Sequence, residues 1–328
     1  MMRYSSPMLR LLPLALAPLV ALVGVGMGSV ADTALDCHDR ADDRAQDPRP
    51  IRHALFVAGP SFTGIIDEHG ETQWSAPKAG ARDGWVLQNG HVLIVWQREA
   101  VEFGDNKQPV WRYQLQKPNS ELGTVQRLAN GNTLVTELGA MPRLREITNK
   151  GDVAVEVMLQ PDTDNAHMQT RMARKLANGD YLVPHLLAHA VKRYQPDGKV
   201  VEVIRTDRDS LGGRKAENWP FTAIRLANGH TVIGCTHGNK VIEVDKKGDV
   251  VWSITNDDVG GIIHDACGVQ RLPNGNTVIA AYAAKSGAKL MEVNRDKKVV
   301  WSYDGPHRVH HFQVLTTNGE PLPGMAMK

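Results

Sequence analysis

The chain has 328 residues, of which 42% are hydrophobic and 23% are charged. This composition supports a sizeable hydrophobic core and excludes a wholly disordered chain, a collagen and a cysteine-framed scaffold. The formal net charge of +2 is too small to favour general binding to nucleic acid or anionic lipid.

The N-terminus is typical of a secretory signal peptide. It contains Arg3 and Arg10 and no acidic residue, and a run of apolar residues covers positions 11–25. Small residues precede and include Ala31, so we predict a signal peptide over residues 1–31 that is cleaved after Ala31. The alternative is an uncleaved membrane anchor, but the run contains two prolines and is short for a span of about 20 residues.

Export leads to further predictions about the mature chain. Cleavage removes two of the 38 basic residues and none of the 36 acidic ones, which leaves the charges balanced. We therefore expect a periplasmic or secreted protein with no nucleic-acid partner and no transmembrane segment in the mature chain. Residues 32–50 are polar and predict a flexible leader, and residues 51–328 predict a β-propeller domain on the grounds that follow.

The dipeptide Asn-Gly recurs along the rest of the chain at intervals of 41, 48, 50, 46 and 44 residues. It begins at Asn89, Asn130, Asn178, Asn228, Asn274 and Asn318. Asn-Gly between alternating apolar runs is a hairpin signal, because both residues tolerate a positive φ. A second turn and a short apolar strand, such as VVWSI or VVWSY, follow most of these hairpins. Each repeat therefore predicts four short antiparallel strands, and the period predicts a β-propeller.

The number of blades follows from the length of the repeat. Five complete repeats begin near Trp85, Val125, Met172, Thr222 and Gly268. The segment before them supplies three outer strands, and the segment after them supplies one innermost strand. We therefore predict an all-β, six-bladed propeller of four-stranded antiparallel blades, in which N- and C-terminal strands share one blade and close the ring.

Four of the seven tryptophans fall at the same place in the predicted outermost strand. They are Trp74, Trp111, Trp252 and Trp301. A large apolar side chain at repeat spacing is what a repeated core needs, so we predict that these tryptophans pack between blades.

Two stretches carry a family resemblance. KVIEVDKKGDVVWSI (240–254) and KLMEVNRDKKVVWSY (289–303) resemble the PQQ-like repeat of bacterial propellers, and residues 264–301 are similar to arylsulfotransferase-type propellers. The resemblance implies a secreted or periplasmic propeller with a site on its central axis. Quinoprotein dehydrogenases carry dedicated quinone and calcium ligands that this sequence does not match, so we do not expect bound PQQ.

Two classes of loop are expected to converge on the channel. In a propeller, the loop that enters each innermost strand and the loop between the second and third strands lie on one face. Counting from Asn-Gly assigns the following candidates to the entering loops: His167, Trp219, His264, Asp265, His310 and His311. The second-to-third loops carry His185, His189, His237 and Lys240, whereas His69, His91 and His230 fall in turns on the opposite face.

Histidines from several blades that point at one axis suit acid–base catalysis or a metal site. We rank His264, His310, His311 and His167 as catalytic candidates, and His167, His264 and His310 as ligands if a divalent metal binds. Adjacent strand residues point to opposite faces, so at most one of His310 and His311 should face the channel.

The remaining candidates suit substrate binding. Arg171 and Lys240 could hold an anionic group, and His185, His189, Trp219, His237 and Asp265 complete the predicted set. Each of these residues has a structural alternative, as a solvated or hydrogen-bonded side chain.

Three functions fit these features. The first is an enzyme with a histidine-lined axial site, a lyase, hydrolase or group-transfer enzyme acting on a small or oligomeric anionic substrate. The second is a non-catalytic propeller that binds a protein or glycan in the cell envelope. A PQQ-type oxidoreductase ranks last. In the first case the partner is a small-molecule or carbohydrate ligand at the propeller axis.

Two of the three cysteines are candidates for a disulfide. Cys235 lies at the far end of a second strand, and Cys267 lies at the start of the next blade's first strand. Both ends approach the same face from adjacent blades, so a bridge is geometrically feasible, as are two buried thiols. Cys37 would remain unpaired or available to another chain.

Overall fold

Six antiparallel sheets form the computed structural model, which describes residues 49–328. The predicted signal peptide, nearly all of the predicted leader and Cys37 lie outside that range. Each sheet is one blade of a β-propeller with four main strands, which confirms the predicted fold class and blade number. Among the described residues, no helix is long and apolar enough to cross a membrane.

The closing blade, blade 1, is built from both ends of the described chain. Its outer strands are β1 (His53–Ala58), β2 (Thr63–Ile66) and β3 (Thr72–Ser75), and its innermost strand is β24 (His311–Thr317), followed by the short β25 (Glu320–Pro321). β1 pairs antiparallel with both β2 and β24. The ring is therefore closed by hydrogen bonds between its two ends, as the sequence predicts.

Blades 2 to 6 follow in chain order, and each runs from the innermost strand outward. Blade 2 holds β4 (Asp83–Val86), β5 (Val92–Val95), β6 (Glu99–Phe103) and β7 (Pro109–Gln114). Blade 3 holds β8 (Asn119–Arg127), β9 (Thr133–Gly139), β10 (Arg143–Ile147) and β11 (Val153–Met158). Blade 4 holds β12 (Arg174–Lys175), β13 (Tyr181–His185), β14 (Ala190–Tyr194) and β15 (Val200–Arg205).

Blade 5 holds β16 (Asn218–Arg225), β17 (Thr231–His237), β18 (Lys240–Val244) and β19 (Val250–Thr255). Blade 6 holds β20 (Ala266–Arg271), β21 (Thr277–Ala281), β22 (Leu290–Val293) and β23 (Val299–Tyr303). Short 3-10 helices at Ala166–Met168, Asp209–Leu211, Arg214–Ala216 and Asp257–Val259 lie in loops between blades. We call the face of these entering loops the upper face, and the face of the Asn-Gly turns the lower face.

The Asn-Gly turns differ in detail from the prediction. A positive φ at both residues occurs at Asn318 and Gly319, whereas in the other five turns the glycine alone has a positive φ. In those turns the asparagine side chain instead accepts a hydrogen bond from the main chain two residues on, as Asn130 Oδ1 does from Asn132 N. The asparagine therefore stabilises the turn through its amide oxygen rather than through a left-handed backbone.

Glutamates link the blades in a way that the sequence analysis did not find. Across the outer strand pair, Glu102, Glu243 and Glu292 lie opposite Trp111, Trp252 and Trp301. Glu243 accepts hydrogen bonds from Arg271 and Arg295 of blade 6, and the indole of Trp252 donates to Arg295 O. Three of the four outer tryptophans thus lie beside carboxylates that bridge to the next blade, whereas Trp74 lies opposite Ile65.

Two histidines on the lower face belong to the same network of contacts between blades. His91 Nδ1 lies 2.7 Å from Glu102 Oε1, and His230 Nδ1 lies 2.9 Å from Glu243 Oε1. Both therefore belong to the blade seams, whereas His69 is exposed. His69 is the better reference residue for variants that should leave the protein unchanged.

Candidate functional site

A pocket of about 290 Å³ lies on the upper face, where loops of five blades meet. We call it the upper pocket. Its walls come from the loops that enter the innermost strands and from the loops between second and third strands, the two classes that the sequence analysis selected. Its size suits a small molecule rather than a polymer chain.

Six of the predicted site residues line the upper pocket. They are His167, Arg171, Trp219, His237, Asp265 and His310. The structure adds Arg82, Phe221 and Tyr282 to them. Tyr282 lies in the second-to-third loop of blade 6, so the same counting from Asn-Gly reaches it. Arg82 directly precedes β4, so the counting reaches its position without selecting it, whereas Phe221 lies within β16 as an ordinary core residue.

Two predicted catalytic histidines lie elsewhere. His264 is exposed and does not line the pocket, because the chain adopts a positive φ of 53° at Asp265 and presents the aspartate there instead. His311 is fully buried in the lower half of the channel, where its Nε2 lies 3.2 Å from Asp83 Oδ1. His310 lines the pocket and His311 does not, in keeping with the expected alternation.

Three predicted substrate-binding residues also lie outside the pocket. His185 is fully buried, and its Nε2 lies 2.9 Å from the hydroxyl oxygen of Tyr194. His189 is buried in a turn with a positive φ of 49°. Lys240 Nζ donates to Leu211 O at 3.4 Å. None of these three side chains lines the upper pocket.

Arg171 is the most unusual residue of the upper pocket. Its exposed fraction is 2%, and its guanidinium donates to the carbonyl oxygens of Thr170 and His167. Among the described residues it has no ion-pair partner, although a buried guanidinium normally has one. Burial, together with the nearby Arg82, lowers the pKa of Arg171 to about 10, which still leaves it charged at neutral pH.

The second arginine of the pocket is neutralised locally. Arg82 Nη1 donates to Glu121 Oε2 at 2.5 Å and to Leu122 O at 2.9 Å. His167 Nδ1 lies 3.3 Å from the same Glu121 oxygen. Although burial opposes the charged form, the hydrogen bonds from His167 and Arg82 lower the pKa of Glu121 to about 2. One carboxylate thus serves two neighbours, and among the described residues no carboxylate lies within ion-pair distance of Arg171.

His310 lies between aromatic rings in the same pocket. Its ring centroid is 4.9 Å from that of Phe221 and 5.1 Å from that of Tyr282, both edge to face. Its Nδ1 lies 3.3 Å from Arg82 O, and a carbonyl can only accept, so Nδ1 carries the hydrogen and Nε2 has a free lone pair. Burial and the adjacent Arg171 lower the pKa of His310 to about 3. At neutral pH it is therefore an uncharged acceptor.

A half-buried tryptophan and an exposed histidine form the mouth of the pocket. Trp219 stacks on His237, with ring centroids 4.0 Å apart and an interplanar angle of 23°. Asp265 Oδ1 accepts a hydrogen bond from His237 N at 3.1 Å, which fixes the loop that carries this ring. The mouth therefore offers a flat, rigid surface above a charged interior.

The two candidate disulfide cysteines are not bonded to each other. Cys235 and Cys267 are both buried and free, and Thr236 Oγ1 lies 3.7 Å from Cys267 Sγ. Burial raises the pKa of each thiol to about 12, so neither is a thiolate at neutral pH. Within residues 49–328, no group of three or more His, Cys, Asp and Glu side chains could hold a metal ion.

The fold and part of the sequence match known proteins. The model of a family described as Mal s 1 allergenic protein-like matches residues 88–294. No curated protein sequence matches the chain significantly. The resemblance to PQQ-like and arylsulfotransferase-type propellers is not confirmed by these matches.

Solved structures with the same fold include a Bacteroides caccae protein of unknown function, with a TM-score of 0.70 and 19% identity over 83% of this chain and 100% of that one. A streptogramin B lyase has a TM-score of 0.57 and 13% identity, and the match covers 80% of this chain and 88% of the lyase. A catalytically inactive histidine-to-alanine variant of Staphylococcus aureus virginiamycin B lyase with quinupristin has a TM-score of 0.55 and 12% identity over 75% and 78% of the two chains. At these identities the likeness concerns the fold alone.

Proposed function

The chain belongs to the Mal s 1 allergenic protein-like family, and we propose that this member is an exported enzyme acting on a small anionic molecule in the upper pocket. Arg171 is the observation that carries the proposal. A guanidinium that is 98% buried without a carboxylate costs several kcal/mol, about 3 or more, unless a ligand completes it. A carboxylate or sulfate is the complementary group, since two parallel N–H donors match its oxygens.

His310 supplies the acid–base chemistry of the proposal. Its Nε2 has a free lone pair in the pocket that Arg171 also lines. An anion bound at Arg171 offsets the positive charge of the guanidinium, which disfavours protonation of His310. Binding of the anion therefore raises the pKa of His310 from about 3. The base thus strengthens when substrate arrives, which suits general base catalysis near neutral pH.

Elimination is the reaction class that needs these groups and no others. Nε2 of His310 takes a proton from the carbon next to the anionic group, the C–H electron pair forms a double bond, and the bond to the leaving group on the next carbon breaks. The fold is compatible with such chemistry, because the matched streptogramin and virginiamycin lyases share it. Hydrolysis and group transfer remain alternative outcomes of a substrate screen.

The test is a screen of purified protein against small carboxylates and sulfate esters, with and without β-leaving groups. Arg171→Met should weaken binding by on the order of a hundredfold, whereas His310→Ala should keep binding and lose turnover. The matched control is Arg112→Ala, because Arg112 is half exposed on outer strand β7 and pairs with Glu99 away from the pocket. Turnover that survives in both pocket variants would reject the proposal.

A non-catalytic ligand-binding function is the second candidate. The stacked Trp219 and His237 at the mouth favour it, because a flat exposed ring binds sugars and other planar groups without chemistry. In that case His310→Ala would alter affinity alone, and no product would form with any compound of the screen.

Export is part of the same proposal. The mature protein should begin at Asp32, as the small residues that end at Ala31 predict. Intact mass of protein from the periplasm or medium measures this directly, and a mature chain that retains Met1 would contradict it.

A further inference from the structure

Residues 322–328 cover the lower mouth of the channel. Met325 and Ala326 lie beside the Asn-Gly turns of blades 2 to 5. Met327 O accepts a hydrogen bond from Arg271 N at 3.0 Å, and Lys328 O accepts one from Arg174 Nε at 2.9 Å. This segment places the side chain of Lys328 inside the channel, where its exposed fraction is 0%.

The amino group of Lys328 has three kinds of partner. Nζ donates to Gly84 O at 2.6 Å, lies 3.5 Å from Asp83 Oδ1, and lies 4.0 Å from the ring centroid of Trp85. A carbonyl, a carboxylate and an aromatic face together form a receptor for a primary amine. A quaternary ammonium would lack the N–H that Gly84 O accepts. We call this group of partners the amine seat.

The amine seat is held in place by residues other than Lys328. Asp83 Oδ2 accepts from Arg174 Nη1 at 2.8 Å, and Asp83 Oδ1 accepts from Gly84 N at 2.8 Å. The Trp85 indole donates to Val125 O at 2.7 Å. The seat therefore rests on the innermost strands of blades 2 to 4, so it should persist when the lysine side chain is removed.

We propose that the lower half of the channel is a binding site for unbranched primary amines and that Lys328 is its intramolecular ligand. The inference does not depend on the proposed function of the upper pocket.

The charge of the cluster gives the site a pH dependence. Asp83 is already paired with Arg174, while His311 on β24 also faces Asp83, so the lysine is a second cation. Burial and Arg174 lower the pKa of Lys328 to about 7, against the opposing effect of Asp83. A free alkylamine has a pKa near 10.4, so its binding above about pH 7 releases a proton. Affinity should therefore rise with pH between about 7 and 10.

Chemical rescue tests the proposal. Lys328→Ala removes three carbons and the amine, which n-propylamine replaces. We expect the variant to have a lower thermal midpoint than wild type. Propylamine at tens of millimolar, the range that so small a ligand allows, should raise that midpoint by several degrees. The rise should be larger at pH 9 than at pH 7, and 1-propanol and propionate should give none.

A second buried lysine provides the matched control. Lys289 is as buried as Lys328, and its Nζ donates to Gly287 O at 2.7 Å, but among the described residues no carboxylate lies within ion-pair distance. Lys289→Ala should gain nothing from propylamine, because no seat surrounds its amine.

Two results would overturn the proposal. One is a Lys328→Ala variant that gains no stability from propylamine, and the other is an equal gain with 1-propanol or in Lys289→Ala. If Lys328→Ala does not fold in buffer, refolding in propylamine takes the place of the melting experiment. Recovery of folded protein then supports the amine site, and failure to recover it rejects the site.

Discussion

Two arginines on one short segment of blade 4 have opposite environments. Arg171 and Arg174 are three residues apart, and their exposed fractions are 2% and 6%. Arg174 forms two hydrogen bonds to Asp83 in the lower half of the channel, whereas Arg171 has main-chain carbonyls as partners in the upper half. The two arginines are thus buried to a similar degree, but only Arg174, in the lower half of the channel, has a carboxylate as its ion-pair partner.

The difference separates a structural charge from a functional one. A buried pair whose hydrogen bonds are satisfied fixes the positions of the strands that carry it, and removal of one partner is costly. A buried charge without its partner destabilises the fold and persists where a ligand supplies the missing group. The paired charges of the lower half of the channel therefore stabilise the ring, and under the proposed function the arginine of the upper half binds the substrate.

The largest expected effect is on the lower pair. Asp83→Asn leaves Arg174 and Lys328 buried without a carboxylate, and we expect it to lower the free energy of unfolding by about 3–5 kcal/mol. Urea denaturation measures this. Asp105→Asn is the control, because the side chain of Asp105 is exposed and lies at the edge of a turn. Equal unfolding free energies of the two variants would show that Asp83 does not stabilise the lower half of the channel.

Replacing each arginine with methionine tests whether its charge stabilises the fold or binds a ligand. Arg174→Met should cost about 3 kcal/mol or more, because it removes both hydrogen bonds from Arg174 to the buried Asp83 carboxylate. Arg171→Met should change stability by about 1 kcal/mol or less, or increase it, because no carboxylate loses its partner. The same Arg171 variant should weaken ligand binding by on the order of a hundredfold. A large loss of stability in Arg171→Met would make Arg171 a structural residue.

The third effect concerns pH. The pKa of His310 is about 3 in the folded protein and about 6.5 in an unfolded chain. Between these values the unfolded state binds more protons, so stability is lost as the pH falls below about 6.5. The loss from this residue is at most about 1.4 kcal/mol per pH unit. His310→Gln should reduce the slope of unfolding free energy against pH between about 6 and 4.

His69→Gln is the reference for that slope, since His69 is exposed on the lower face. His185 and His311 also have pKa values well below 6.5, because burial disfavours their charged forms. They should keep part of the slope in the His310 variant. An unchanged slope would show that His310 titrates normally in the folded protein.

The smallest expected effect is at His264. Its side chain is exposed outside the upper pocket, so His264→Ala should bind and turn over substrate like wild type. His310→Ala should lose turnover in the same assay. Loss of activity in His264→Ala would mean that the loop before β20 closes over the bound ligand.

The sequence repeats are the feature from which most of the fold could be predicted. The six Asn-Gly turns, the outer tryptophans and the incomplete terminal repeats define the blade number and the strand that closes the ring. The loop classes follow from the same counting, which is why His167, Arg171, Trp219, His237, Asp265 and His310 lie in one pocket. The positions of Tyr282 and Arg82 show the limit of this approach, since neither residue type suggested chemistry.

The architecture and the loops that line the axis therefore follow from the sequence alone, because the repeat period and the turn residues are local properties of the chain. The tertiary structure decided which charges are paired. Asp83 meets Arg174 across 91 positions of sequence, whereas Arg171 meets no carboxylate at all among the described residues. It also decided that His310 faces the pocket and His264 faces solvent. Burial and pairing depend on distances between side chains from different blades, and no local pattern encodes those distances.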